Sequence, residues 1–167
     1  KVAISIAEAV YAALSASGSG KARYRAALRA SDFSPQELAN LAWGLARIGG
    51  GKEDGSGIVR QALQVITTTA LASVGKLSAR DLTDIVWAIG NTGLAADAFL
   101  TAAGRRAQDA NSGFSTQELM RFLGAYRRAG GDANLYASLA SSQRELTYEF
   151  PALEGLKVHL QSEVPGR

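Results

Sequence analysis

Several kinds of residue are scarce in this chain, and each scarcity excludes a class of protein. Cysteine is absent from the 167 residues, which excludes a disulfide framework and a thiolate metal site. There are only 3 prolines and no alternating runs of β-branched residues, so no segment predicts a β-sheet. No apolar run reaches the roughly 18–20 residues that span a bilayer, and we therefore expect no insertion into a membrane.

The residues that are abundant favour packed helices. Aromatic residues make up only 7% of the chain, which leaves alanine, the strongest helix former, and leucine to fill the core. Hydrophobic residues account for 47% and charged residues for 20%, a composition that excludes a disordered protein. The net charge of +3 is mildly basic and favours an anionic partner. The sequence opens at Lys1, and we expect it to be the ordered part of a longer or processed protein.

The chain contains an internal repeat. Three segments align without a gap, and each has a large apolar residue, a serine, an acidic residue three positions after the serine, and then a leucine. A glycine follows each segment at the same distance. The segments are Phe33–Trp43 (FSPQELANLAW), Leu77–Trp87 (LSARDLTDIVW) and Phe114–Gly124 (FSTQELMRFLG), and the glycines are Gly49, Gly93 and Gly130.

Each copy carries the signals that begin and end a helix. The serine predicts an N-cap, the acidic residue completes a capping box, and the apolar residues on either side predict a hydrophobic staple. Pro35 falls at the first helical position, where a missing N–H costs nothing. The recurring glycine predicts the left-handed residue that ends a helix. The predicted capping pairs are Ser34 with Glu37, Ser78 with Asp81, and Ser115 with Glu118.

The copies divide the chain into helical hairpins. A more divergent copy lies upstream and opens at Ile4 and Ser5, so the repeats start near residues 4, 33, 77 and 114. Apolar residues at helical spacing predict a second helix in each unit, over residues 21–30, 57–74, 95–110 and 132–149. The sequence therefore predicts an all-α fold, an α-solenoid of about four stacked helical hairpins over residues 1–150. Residues 151–167 are interpreted as a C-terminal tail or the start of a further element.

The first helix of each copy has two different sides. Positions five, eight, nine and twelve after the opening residue fall within about 100° and predict the core. They are Leu38, Leu41, Ala42 and Leu45, then Leu82, Ile85, Val86 and Ile89, then Leu119, Phe122, Leu123 and Tyr126. Positions three, seven and fourteen fall within about 40° on the opposite side, which we call the polar face. It consists of Gln36, Asn40 and Arg47, then Arg80, Asp84 and Asn91, then Gln117, Arg121 and Arg128.

The polar face has two interpretations. Any amphipathic helix needs a solvated outer side, which is the structural one. Glutamate and lysine, the usual residues of such a surface, are missing, whereas glutamine, asparagine and arginine hydrogen-bond base edges and phosphates. We therefore predict RNA binding by this face apart from Asp84, with Arg105, Arg106 and Arg127 adding positive charge. Trp43 and Trp87 share one repeat position and predict packing against the next repeat, with base stacking as the alternative.

No pattern in the sequence predicts catalysis. His159, the single histidine, lies in the tail, and there is no nucleophile elbow, metal-ligand spacing or recurrent carboxylate pair. The glycine-rich stretch at 49–57 lacks the Gly-Lys-Ser/Thr ending of a phosphate loop. We therefore expect no enzyme activity, no cofactor and no metal.

The repeat is similar to that of a known group of families. Phe33–Gly49 (FSPQELANLAWGLARIG) closely resembles the unit of the organellar octotricopeptide and heptatricopeptide families, which often accompany a RAP domain. The resemblance extends to Leu77–Gly93 and partly to Phe114–Gly130, where Gly124 replaces tryptophan. Neither a RAP domain nor the second-helix octotricopeptide motif is evident, which favours the heptatricopeptide type or a divergent member. The resemblance implies an α-solenoid that binds organellar RNA.

These observations lead to two functional expectations. The first is an RNA-binding protein of the mitochondrion, with the plastid as the alternative location. Some members of such families are mitochondrial ribosomal proteins, so ribosomal RNA and neighbouring proteins of a large complex are the expected partners. The second is a scaffold subunit that binds proteins without touching RNA, because stacked hairpins also form protein-binding grooves. The modest net charge of +3 keeps this second expectation open.

Overall fold

The computed structural model describes residues 33–49, 56–109 and 113–149, without the side chains of Ser56 and residues 142–149. These residues form six α-helices and one short 3-10 helix, with no strand among them, so the all-helical prediction is confirmed for this part of the chain. The upstream copy near residue 4, helix 21–30, and the tail at 151–167 with His159 lie outside the described residues. The helices are α1 (Pro35–Gly49), α2 (Ser56–Leu71), α3 (Ala79–Thr92), α4 (Asp97–Gln108), α5 (Thr116–Arg128) and α6 (Ala133–Glu149).

Helices α1, α3 and α5 begin with the predicted capping boxes. The Glu118 backbone N–H donates to Ser115 Oγ at 3.3 Å, and the Ser115 backbone N–H donates to Glu118 Oε2 at 2.9 Å. Each pair thus satisfies two backbone donors that the first turn of a helix leaves free. The same reciprocal bonds join Ser34 with Glu37 and Ser78 with Asp81.

Two of the three repeat glycines end a helix in the predicted way. Gly93 and Gly130 adopt left-handed backbone with φ of 62° and 79°. The N–H groups that follow α5 bond back to carbonyls inside it, which satisfies the last turn. The prediction is wrong for Gly49, which is the last residue of α1 and does not have a positive φ. A Cβ at Gly49 would overlap the Val59 side chain, so this glycine permits the close approach of α2 to α1.

The second helix of the first described hairpin is shorter than predicted. Helix α2 ends at Leu71 instead of continuing to residue 74, and a separate 3-10 helix follows at Val74–Lys76. Three consecutive threonines precede this end, and their hydroxyls donate to carbonyls three or four residues earlier. β-Branched residues and such hydroxyl bonds weaken a helix, and both are present just before α2 ends. The next turn contains bonds between residues three apart, such as Ser73 N–H to the Ala70 carbonyl at 3.0 Å.

The helices pack in two rows with the core between them. The most extensive contacts join α1 with α3 and α3 with α5, which form the first row. In the second row, α2 contacts α4 and α4 contacts α6, and each first helix also contacts the second helix that follows it. The predicted core residues of the first row are buried, except that Leu41 is half-buried against the core. The apolar stripe therefore correctly identified the buried side of each first helix.

The capping boxes predict a specific dependence of stability on pH. Hydrogen bonds from Ser34 and Ser115 hold the pKa of Glu37 and of Glu118 below the usual value of 4.5. The unfolded chain lacks these bonds and takes up the two protons at higher pH, so their contribution is present above about 4.5 and is lost as the pH falls through the lower folded values. We expect the urea midpoint of the wild type to fall more steeply with acidification than that of E37Q/E118Q.

Urea titrations of both proteins between about pH 3 and pH 7 would measure this difference. Because the remaining carboxylates titrate in both proteins, subtracting the two profiles isolates the capping glutamates. Parallel profiles would show that the boxes add no pH-dependent stability.

Candidate functional site

The polar face lies along the outer side of the first row of helices. Its members are exposed in the structure except Asp84, which is half-buried. Because α3 packs against both α1 and α5, the three sets of polar side chains lie on neighbouring helices of the first row. The structure thus brings together helices whose polar residues are far apart in the sequence.

Charge is distributed unevenly over the polar face. Four of its members are arginines, and Asp84 is its single carboxylate. Arg80 Nε lies 3.8 Å from Asp84 Oδ2, in a pair one helical turn apart. Partial burial raises the pKa of Asp84, and the nearby Arg80 opposes that change only in part. On the polar face, α3 therefore carries one arginine and one carboxylate. Helix α5 carries Arg121 and Arg128 there, and the capping carboxylate of Glu118 lies close enough to Arg121 to interact with it.

Asn91 has a structural contact that the sequence analysis did not predict. Its Nδ2 donates to the Ala46 backbone carbonyl at 3.0 Å. That carbonyl belongs to the last turn of α1, where carbonyls have no partner inside the helix. Asn91 therefore ties α3 to the end of α1, and one of its amide donors is already occupied. Only the rest of this side chain is available to a ligand.

The two tryptophans occupy the same repeat position but have different surroundings. Trp87 is half-buried and packs against the core, in agreement with the predicted packing role. Trp43 remains 40% exposed, and Arg47 Cζ lies 4.8 Å from the centre of its ring system. This distance is typical of a cation–π contact. In the third copy Gly124 stands at this position and provides no side chain.

The additional arginines do not all join the polar face. Arg127 is exposed on α5 beside Arg128, about 100° further around the helix. Arg105 and Arg106 lie in the last turn of α4, which belongs to the second row. Positive side chains there interact favourably with the negative end of the helix dipole. The structure therefore separates Arg105 and Arg106 from the surface formed by α1, α3 and α5.

The described part of the chain offers no competing site for a metal. Its aspartate and glutamate side chains do not gather into any group of three that could hold an ion. Across the same residues, no helix has the length and apolar character required to cross a membrane.

Comparison of the chain with protein-family models, with curated proteins and with solved structures gave no match. The similarity to organellar helical repeats therefore depends on the motifs quoted above.

Proposed function

We propose that this chain is an organellar RNA-binding protein whose helical hairpins stack as an α-solenoid and whose polar face holds the RNA. The observation that supports this most directly is the exposed surface of arginine and amide side chains across α1, α3 and α5. The family resemblance adds the mitochondrion as the proposed location, with the plastid as the alternative. It also suggests a mitochondrial ribosomal protein that contacts ribosomal RNA.

The chemistry of the polar face suits contacts to a nucleic-acid backbone. Arginine donates several N–H groups in a fixed geometry that matches phosphate oxygens. Asparagine and glutamine side chains can hydrogen-bond base edges, ribose hydroxyls or phosphates. Arg121 and Arg128, which lie two turns apart on α5, would meet successive phosphates of a strand that follows the helix. Asp84 would repel phosphates from the middle of the face, where Arg80 offsets its charge.

Removal of Arg121 and Arg128 is expected to weaken RNA binding and to reduce its dependence on salt. Each phosphate contact on a single strand contributes about 0.7 to the slope of log K against log salt, so R121A/R128A should lower that slope by about 1.4. Fluorescence anisotropy with a labelled single-stranded oligonucleotide, over about 50 to 200 mM salt, would measure it. Because both side chains are exposed, the variant should fold like the wild type.

A matched control removes the same charge from outside the polar face. Arg60 on α2 and Lys76 in the 3-10 helix, which contacts α4, are both exposed, so R60A/K76A changes the net charge equally without altering any residue predicted to bind RNA. We expect this variant to retain most of the wild-type slope. An equal reduction in both variants would show that RNA responds to overall charge, and salt-independent binding of RNA by the wild type would contradict the proposal.

The second candidate function is a protein-binding scaffold. It is favoured by the near-neutral middle of the face, where Asp84 and Arg80 pair, and by the low net charge. A scaffold would show no salt-dependent affinity for RNA, and its association with a partner would be unchanged in R121A/R128A. The same titrations therefore separate the two functions.

A further inference from the structure

We propose that Trp43, with Asn40 and Arg47, forms a site for one unpaired nucleotide at the α1 end of the polar face. This inference rests on the proposed RNA binding and specifies which part of the RNA this end recognises. The three side chains follow one another on the same side of α1, three and then four residues apart, which places each about one turn from the next. All three are exposed.

The three side chains suit the base and the phosphate of a nucleotide. Trp43 as a whole residue remains 40% exposed even with the Arg47 guanidinium 4.8 Å from the centre of its ring system, so part of this large residue is still accessible. A nucleobase stacks on an aromatic surface whatever its identity, because every base has a π-face. The adjacent guanidinium can bind the phosphate of the same nucleotide, and the Asn40 amide can hydrogen-bond a base edge.

The surroundings of Trp43 favour a nucleotide over an apolar protein surface. Ile48 is the other large hydrophobic residue exposed in the described chain, at 37%. It lies five residues further along α1, about 140° around the helix, so the two side chains do not form a continuous apolar patch. The neighbours of Trp43 on its own side are an amide and a cation instead. Among the described residues, Trp43 is therefore not part of a contiguous apolar patch of the kind that marks a protein-binding site.

The site occurs once among the three described repeats. Trp87 has the same repeat position but is half-buried against the core, and Gly124 has no side chain there. The α1 end would therefore stack an unpaired base, while the α5 end would contact phosphates through Arg121 and Arg128. Bases in a duplex are already stacked and paired, so this site should favour single-stranded RNA over duplex RNA.

Tryptophan fluorescence tests the inference directly. The chain has 2 tryptophans, so W87F leaves Trp43 as the single indole reporter. We expect single-stranded oligouridine to quench W87F, whereas an abasic strand of equal length and an RNA duplex should bind without comparable quenching. If W87F fails to fold, the difference in quenching between the wild type and W43F provides the same measurement.

Affinity supplies a second readout. Replacing Trp43 with leucine should weaken binding of oligouridine by about 5- to 150-fold, the range measured for the loss of one stacked base, while W43F should keep most of the affinity. Binding of the abasic strand should be the same in the wild type and W43L. If W43L binds oligouridine normally with an unchanged salt slope, the stacking site is refuted while RNA binding stands. If no strand binds the wild type at all, both proposals fail.

Discussion

Replacing Tyr126 with alanine is expected to lower the free energy of unfolding by about 3–5 kcal/mol, the usual cost of removing a buried aromatic side chain. Tyr126 is fully buried on α5, and its ring stacks on Phe122 with 5.3 Å between the centroids. A Cβ at Gly104 would lie 2.7 Å from the Tyr126 hydroxyl oxygen, and a Cβ at Gly131 would overlap the ring. The tyrosine thus fills the space between α4, α5 and the turn before α6.

The hydroxyl of Tyr126 contributes separately from the ring. It accepts a hydrogen bond from the Asp132 backbone N–H at 3.2 Å, which fixes the start of α6. The Tyr126→Phe variant keeps the ring and loses only this acceptor, so it should cost about 0.5–1.5 kcal/mol. Urea unfolding of the wild type and both variants would measure the two contributions. A loss below about 1 kcal/mol in Y126A would show that the surrounding helices close the cavity.

The architecture near Tyr126 shows how far the sequence alone could predict the fold. The positions of Leu119, Phe122, Leu123 and Tyr126 predicted a buried stripe because burial on a helix follows its period. The capping boxes were equally predictable, since a serine and an acid three residues apart are sufficient to form them. Contacts between different helices left no such local signal. The approach of Gly104 and Gly131 to one tyrosine ring depends on tertiary packing, and neither glycine stands at a repeat position that would have indicated it.

The sequence predicted the candidate site to about the same extent as it predicted the fold. Helical spacing alone placed Gln36, Asn40 and Arg47 on one exposed side of α1, and the repeat extended that side to α3 and α5. The bond from Asn91 to Ala46 could not be predicted, because it joins residues that are 45 positions apart. The different exposure of Trp43 and Trp87 could not be predicted from the sequence either, because identical repeat positions have different neighbours in different helices.

Introducing leucine at Gly90 is expected to destabilise the protein by about 1–3 kcal/mol, the usual effect of overfilling a packed contact. Gly90 lies on α3 where that helix meets the end of α5. A Cβ there would lie 3.0 Å from the backbone nitrogen of Ala129 and 3.2 Å from the backbone carbonyl carbon of Arg128. Backbone atoms of a helix cannot rotate away as a side chain does, so the larger residue must push α3 and α5 apart.

Gly124 provides the matched control for this substitution. It lies inside α5, and no atom would come within 4 Å of its Cβ, so Gly124→Leu should stabilise the protein by about 0.5–1 kcal/mol through helix propensity alone. Both variants gain the same propensity, and the difference between their urea midpoints therefore measures the α3–α5 contact. If RNA spans these helices, G90L should also bind oligouridine more weakly than the wild type, because Arg80 would move away from Arg121 and Arg128. Equal stability of G90L and G124L would show that the helices adapt without cost, and equal affinity of G90L and the wild type would confine the RNA to a single helix.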